Sequence, residues 1–130
     1  MGGSAVLCVA ADLPDLAAVV AWVPDANVDP FQPSPTGLVE EGGQLARDRF
    51  WREAHAADIP GRYARVAAPC QLVFGTLDEY VSSENRHALT QYAKPTDTVA
   101  VFDGYSHSNW SAEQADVIIK RSVTFLQQHL

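Results

Sequence analysis

Three short apolar runs, spaced along the chain and separated by helical or irregular segments, constrain the fold more than any other feature. They cover residues 17–23 (AAVVAWV), 70–74 (CQLVF) and 98–102 (TVAVF). The first run is apolar throughout rather than at alternate positions, which predicts a strand buried on both faces, as in a parallel sheet. Strands that alternate with helices predict an α/β domain with right-handed crossovers. We expect one domain over residues 1–130 with three mostly parallel strands.

Four helices are predicted to flank these strands. Small residues over 4–11 favour a first helix that ends before Pro14. Further helices are predicted over 44–57 and over 82–94, the latter starting at Ser82. Between the first two strands, residues 27–57 form an irregular excursion that is rich in proline and glycine up to residue 45.

The last helix is the most clearly marked element. Ser111 and Gln114 have the spacing of a capping box, which predicts a helix start at this point. Apolar residues recur after it at helical spacing and predict a single apolar stripe. The stripe comprises Ala115, Ile119, Val123, Leu126 and Leu130, with Lys120, Arg121, Thr124, Gln127 and Gln128 on the other side.

Charge and composition exclude several classes of partner. The 16 acidic and 9 basic side chains leave a net charge of −7, which argues against binding to a nucleic-acid backbone or an anionic membrane. No run approaches the roughly 20 apolar residues of a membrane span. Residues 1–11 carry no charge, unlike the start of a secretory signal. Cys8 and Cys70 lie in apolar segments, so we expect two buried free thiols and a cytoplasmic protein.

Two titratable side chains follow the second and third predicted strands. Asp78 comes after the strand at 70–74, and His107 comes after the strand at 98–102. If these strands are neighbours and parallel, both loops leave from the same edge of the sheet. A carboxylate beside an imidazole fixes its tautomer and stabilises the imidazolium, as in an acyl-transfer triad. The residues alone do not establish such a pair, because an aspartate in a glycine-containing loop is usually a turn former and a histidine of this kind is often a surface residue.

The surrounding residues resemble those of a known family. PCQLVFGTLDEYV, VAVFDGYSHSNW and the terminal amphipathic helix look like the C-terminal part of an α/β-hydrolase. In that family a Gly-x-x-Asp turn supplies the catalytic acid and a Gly-x-x-His loop supplies the base, matched here by Gly75 to Asp78 and Gly104 to His107. The resemblance implies hydrolysis of an ester or similar acyl bond in a small-molecule substrate, without a cofactor. It also implies that residues 27–57 form a short cap.

The start of the chain resembles the segment that follows the family's nucleophile. Met1-Gly2-Gly3 matches the residues after the serine in Gly-x-Ser-x-Gly, so the resemblance implies a nucleophile that is absent from this sequence. Ser4 and Ser106 are poor substitutes, because Val6 and Ser108 stand where the motif has glycine. The chain by itself is then expected to be inactive.

Three interpretations follow from this start. The chain is the product of a truncated reading frame, a non-catalytic module that self-associates, or one chain of a split hydrolase. The strand at 17–23 is expected at an edge of the sheet, which predicts a homodimer or larger oligomer through that edge. The cysteines and histidines lack paired ligand spacing, so no metal site is expected. Gly42-Gly43 lacks the lysine and hydroxyl residue of a phosphate loop.

Overall fold

A computed structural model describes residues 2–41 and 44–130. In chain order its helices and strands are α1 (Gly2–Ala10), β1 (Val19–Trp22), β2 (Leu38–Glu41), β3 (Gln44–Arg47), α2 (Asp48–His55), α3 (Ile59–Arg65), β4 (Cys70–Gly75), α4 (Ser83–Thr90), β5 (Thr98–Phe102) and α5 (Ala112–Gln127). Met1 and the Gly42-Gly43 pair lie outside the described residues.

The three predicted strands form one parallel sheet in the order β1-β4-β5. In its register Ala21 lies beside Leu72, and Leu72 lies beside Val99. All six residues of β4 are buried, because β4 is paired on both sides. The prediction of a parallel three-stranded α/β sheet is confirmed, and within the described residues β1 is an edge strand.

Helices cover both faces of this sheet. Leu7 of α1, Tyr63 of α3 and Leu89 of α4 belong to the same buried cluster as Leu72 and Phe74 of β4. On the opposite face a smaller cluster joins β4, β5 and α5. Its buried members are Val73, Ala100 and Ile118. Burial on both faces accounts for the apolar run of β4. The first run differs from the prediction, because only alternate residues of β1 are fully buried, and in β5 only Ala100 is.

The excursion is more regular than its sequence indicates. Residues 44–47, predicted as the start of a helix, instead pair with β2 as the second strand of an antiparallel hairpin. The helix begins at Asp48, and the indole N–H of Trp51 donates to the carbonyl of Val39 over 3.1 Å, which fastens α2 to the hairpin. Helix α3 is absent from the prediction although Asp58 caps it by accepting the backbone N–H of Gly61.

The capping box of α5 is confirmed, but the face that packs on the sheet differs from the predicted stripe. Ile118, Ser122 and Phe125 are the buried residues of α5. Ile118 is 1% exposed, whereas its neighbour Ile119 is 47% exposed. The hydroxyl of Ser122 accepts the indole N–H of Trp22 over 3.0 Å. The packed face of α5 therefore contains a polar residue, and each of its buried residues lies one position before a residue of the predicted apolar stripe.

Candidate active site

Asp78 and His107 meet at the carboxyl edge of the sheet. Because β4 and β5 are parallel neighbours, the loops after them leave from the same edge. Nδ1 of His107 lies 3.2 Å from Oδ1 and 3.1 Å from Oδ2 of Asp78. The side chain of Asp78 is 3% exposed and that of His107 is 19% exposed. The expected juxtaposition is therefore observed, and the pair is largely shielded from water.

The carboxylate is held in place by its own loop. Oδ1 of Asp78 accepts the backbone N–H groups of Tyr80 over 2.9 Å and Val81 over 2.8 Å. A carboxylate only accepts hydrogen bonds, so the proton on the imidazole of a neutral His107 belongs on Nδ1. Nε2 is then the nitrogen that is able to accept a proton from another group.

Backbone hydrogen bonds join the loop after β4 to the end of β5 and the loop that follows it. Thr76 donates to the carbonyl of Phe102 over 3.0 Å, and Leu77 donates to that of Tyr105 over 2.9 Å. A Cβ atom at Gly75 would lie 2.1 Å from the carbonyl oxygen of Tyr105. The close approach of the loops thus requires glycine at this position.

The turn before His107 is fixed in the same way. Gly104 has a φ of 77°, in the region that favours glycine. Its N–H donates to the hydroxyl of Thr76 over 2.9 Å, and that hydroxyl donates to Asp103 over 2.9 Å. Both motif glycines therefore have a conformational role in bringing the acid and the base together.

Three further side chains position His107 or its loop. The ring of Tyr80 meets that of His107 edge-on, with centroids 5.2 Å apart. Glu79 accepts the backbone N–H of His107 over 3.4 Å. Trp110 donates to the carbonyl of Ser106 over 2.8 Å. The sequence analysis missed the roles of Tyr80 and Glu79, although both lie within two residues of Asp78.

A cavity of about 510 Å³ lies beside the pair. His107 and Tyr80 line it from the sheet edge, and Ser4 lines it from the first turn of α1. Phe50 and Trp51 of α2 contribute to its wall, as the proposed cap position implies. Two further aromatic residues near these segments, Phe31 and Trp110, are not in the described lining. Phe31 packs against His55, and Trp110 packs edge-on against Trp22.

No hydrogen bond among the described residues joins His107 to a serine or cysteine. Ser4 is buried, and its hydroxyl donates to the carbonyl of Asp25 and accepts the Asp25 N–H, both over 2.9 Å. Ser106 accepts the N–H of Asn109. Met1, which matches the residue after the family's nucleophile, lies outside the described residues.

The thiols and the other histidines are not part of the Asp78–His107 pair. Cys8 and Cys70 are both free, and Cys70 is buried as predicted, whereas Cys8 is only partly buried and lines the cavity. Burial raises the pKa of Cys70 to about 11, and burial also raises the pKa of Cys8. His55 contacts the carbonyl of Asp29 through Nδ1 over 3.1 Å, and His87 is exposed. Among residues 2–41 and 44–130, no three histidine, cysteine or carboxylate side chains converge as a metal site would need. In the same residues no helix has the length and apolarity to cross a membrane.

Comparisons with known proteins identify the fold. The esterase domain of a Rhodothermus marinus protein superposes with a TM-score of 0.78 at 22% identity, over 98% of this chain and 58% of that one. A Paleococcus ferrophilus monoacylglycerol lipase superposes with a TM-score of 0.76 at 20% identity, over 98% of this chain and 65% of the lipase. Est1E of Butyrivibrio proteoclasticus with bound ferulic acid superposes with a TM-score of 0.76 at 17% identity, over 98% of this chain and 55% of Est1E. No protein-family model and no curated protein matches.

This chain has the α/β-hydrolase fold over the part that it shares with these structures. It spans 55–65% of their length, and nearly all of its own length is matched.

Proposed function

We propose that this chain is the acid- and base-bearing part of an α/β-hydrolase that cleaves an ester or similar acyl bond. The observation that carries the proposal is the contact of Asp78 with Nδ1 of His107 on a fold shared with esterases and a lipase. Asp78 orients the imidazole, and Nε2 of His107 is the general base.

The nucleophile in this proposal is a hydroxyl outside the described residues. Nε2 takes its proton as the oxygen attacks the acyl carbon, and Asp78 stabilises the imidazolium that forms. The same proton then passes to the departing alcohol or amine, and water repeats the sequence to release the acid. The cavity shared by His107 and the first turn of α1 supports this placement, since a group entering from the helix start would reach the base.

Ester hydrolysis and the upstream coding sequence together test the proposal. The 130-residue chain is expected to hydrolyse p-nitrophenyl acetate at the same rate as its His107→Ala variant, because the proposal places the nucleophile outside these residues. We expect in-frame Gly-x-Ser codons directly before Met1. The extended chain should be active and lose on the order of a thousandfold in rate on His107→Ala. His87→Ala, at an exposed histidine of α4, is the matched control. A folded, extended chain whose activity survives His107→Ala would overturn the proposal.

Self-association is a second candidate function, favoured by the open edge of β1. A groove of about 430 Å³ runs beside this edge, and its lining consists of apolar side chains from α1, β1 and the segment between them. Val6, Val9, Leu13 and Leu16 in this lining are exposed. The occupant that fits this candidate is a second copy of the chain, whose own β1 offers the same unpaired backbone groups. A stop codon directly upstream of Met1 would favour this candidate or a split hydrolase.

A further inference from the structure

The cavity beside His107 has the size and chemistry of a small-molecule site. Its volume of about 510 Å³ falls in the range of sites that enclose most of a small ligand. Between the aromatic walls the lining contains small or aliphatic side chains, which are Ala5, Cys8, Ala54, Ala57 and Ile59. It also contains polar side chains, which are Ser4, Asp25, Asn27 and Ser108.

Two aromatic side chains of α2 give the cavity a wall with a flat apolar surface. Phe50 and Trp51 meet edge-on with ring centroids 5.0 Å apart. Trp51 is 3% exposed, and its indole N–H is already bound to the carbonyl of Val39. Phe50 is 45% exposed, so its ring has free surface to offer a ligand. A planar apolar group would bury that surface, with the edge-on or offset geometry that aromatic pairs prefer.

This wall is fastened to the body of the protein. Asn85 of α4 accepts the N–H of Val28 over 3.0 Å and donates to the carboxylate of Asp29. The carbonyl of Asp29 contacts the His55 ring at the end of α2. Asn85 is itself 2% exposed, so the tether is shielded from competing water. These hydrogen bonds therefore hold α2 in position over the cavity.

The charges around the cavity disfavour an anionic ligand. Among the described residues that line it, none is a lysine or arginine. The arginines of α2 are engaged elsewhere, since Arg49 pairs with Glu53 and Arg52 pairs with Asp48. A ligand carboxylate would lose its hydration, the described lining offers it no lysine or arginine in return, and the imidazole of His107 already contacts Asp78.

We propose that this cavity selects an uncharged ester with a planar, aromatic-sized group, which packs against Phe50 and Trp51, and that it rejects substrates carrying a carboxylate. The proposal rests on the proposed hydrolase function for the identity of the bond that is cleaved. The selectivity of binding is a separate property, because it depends on the wall and the charges and not on the nucleophile.

Binding of three esters to the ¹⁵N-labelled chain, followed by amide chemical shifts, tests this. Phenyl acetate should bind in the millimolar range and shift amides around Phe50 and Trp51. Its carboxylate-bearing analogue 4-acetoxybenzoate should bind at least about tenfold more weakly, as should ethyl acetate, which lacks the ring. Phe50→Ala should weaken phenyl acetate about fivefold, whereas Leu45→Ala, at an exposed residue of the hairpin outside the cavity, should leave it unchanged.

A gain-of-function variant completes the test. Ala54→Arg places a cation in the cavity wall and should bring 4-acetoxybenzoate to the affinity of phenyl acetate or above. Equal binding of the two aryl esters to the unmodified chain, or no binding of phenyl acetate, overturns the inference and leaves the hydrolase proposal intact. Selective binding with no His107-dependent rate in the extended chain has the opposite meaning: the cavity is as inferred and the proposed reaction is wrong.

Discussion

At the scale of single residues, two glycines allow close contacts between elements that any side chain at those positions would block. Gly75 ends β4, where a Cβ atom would overlap the carbonyl of Tyr105 in the base loop. Gly3 lies in α1, where a Cβ atom would come within 2.2 Å of the carbonyl of Trp22. Both overlaps involve backbone atoms, which a rotating side chain cannot relieve. Each glycine therefore allows two elements to approach closely: α1 and β1 at Gly3, and β4 and the base loop at Gly75.

Alanine at position 75 is expected to disturb both stability and the site. The substitution Gly75→Ala should lower the free energy of unfolding by about 1–3 kcal/mol, because the base loop must move away from β4. Gly2→Ala is the matched control, since a Cβ atom there meets nothing within 4 Å. It should change the unfolding free energy by less than about 0.5 kcal/mol. Urea denaturation of both variants measures the difference, and equal effects would contradict the account.

A buried cluster at the other end of the sheet makes stability dependent on pH. Asp97 accepts the hydroxyl of Tyr63 over 2.6 Å and the N–H of Cys70 over 2.8 Å. Burial, followed by the hydrogen bond to Asp97, raises the pKa of Tyr63 above its ordinary range. Burial raises the pKa of Cys70 from 9.0 to about 11. Both groups are neutral when protonated, so the native state holds these protons more tightly than the unfolded chain.

Stability should accordingly fall as the solution becomes alkaline. The contribution of Cys70 is fully present below pH 9 and is lost as the pH rises towards 11. The urea midpoint should decrease over this interval, and the decrease should be smaller in Cys70→Ala and Tyr63→Phe. Tyr92→Phe, at an exposed tyrosine, should keep the full decrease. A midpoint independent of pH between 9 and 11 would be incompatible with this explanation.

At the scale of elements, the sequence predicts what is decided by local residue patterns. Strands β4 and β5 were predictable from short apolar runs, and the start of α5 from the pairing of Ser111 with Gln114. The β2–β3 hairpin was not predictable in this way. The hydrogen bond that joins it to α2 runs from Trp51 to Val39, which are 12 residues apart in the sequence. The meeting of Asp78 and His107 followed from two motifs together with strand adjacency.

The packed face of α5 gives a matched pair of neighbouring residues for a test. Ile118→Ala removes a fully buried side chain and should lower the free energy of unfolding by about 2–5 kcal/mol. Ile119→Ala, one residue later in the same helix, alters a half-exposed side chain and should cost about 1 kcal/mol or less. Thermal or urea unfolding of the two variants distinguishes them. The reverse order would restore the stripe that the sequence alone predicts.

At the scale of the whole molecule, one side of the sheet is open in the part of the chain that the structure describes. Strand β1 has one partner there, and the groove along it is apolar. In the similar structures named above, the matched region is 55–65% of the chain. An edge of this kind favours association with another strand.

The chain is expected to self-associate through this side. Sedimentation at micromolar concentration should give a dimer or larger species. Val9→Lys, at a groove residue that is 60% exposed, should shift the chain to monomer because it places a charge in the contact. Val117→Lys, at an exposed residue of α5 outside the groove, should leave association unchanged. A wild-type chain that is monomeric under these conditions would contradict the prediction.

In the proposed function, Asp78 holds His107 with its proton on Nδ1 and leaves Nε2 as the base. Histidine-ring ¹⁵N NMR of the chain reports this directly. We predict a proton on Nδ1 and none on Nε2 in the neutral ring. In Asp78→Asn, with the amide oxygen kept at Oδ1 by two backbone N–H groups, the NH₂ group faces Nδ1 as a donor and moves the proton to Nε2. Asp116→Asn, in α5, should change nothing. A wild-type ring protonated on Nε2, or one indifferent to Asp78→Asn, would contradict the claim.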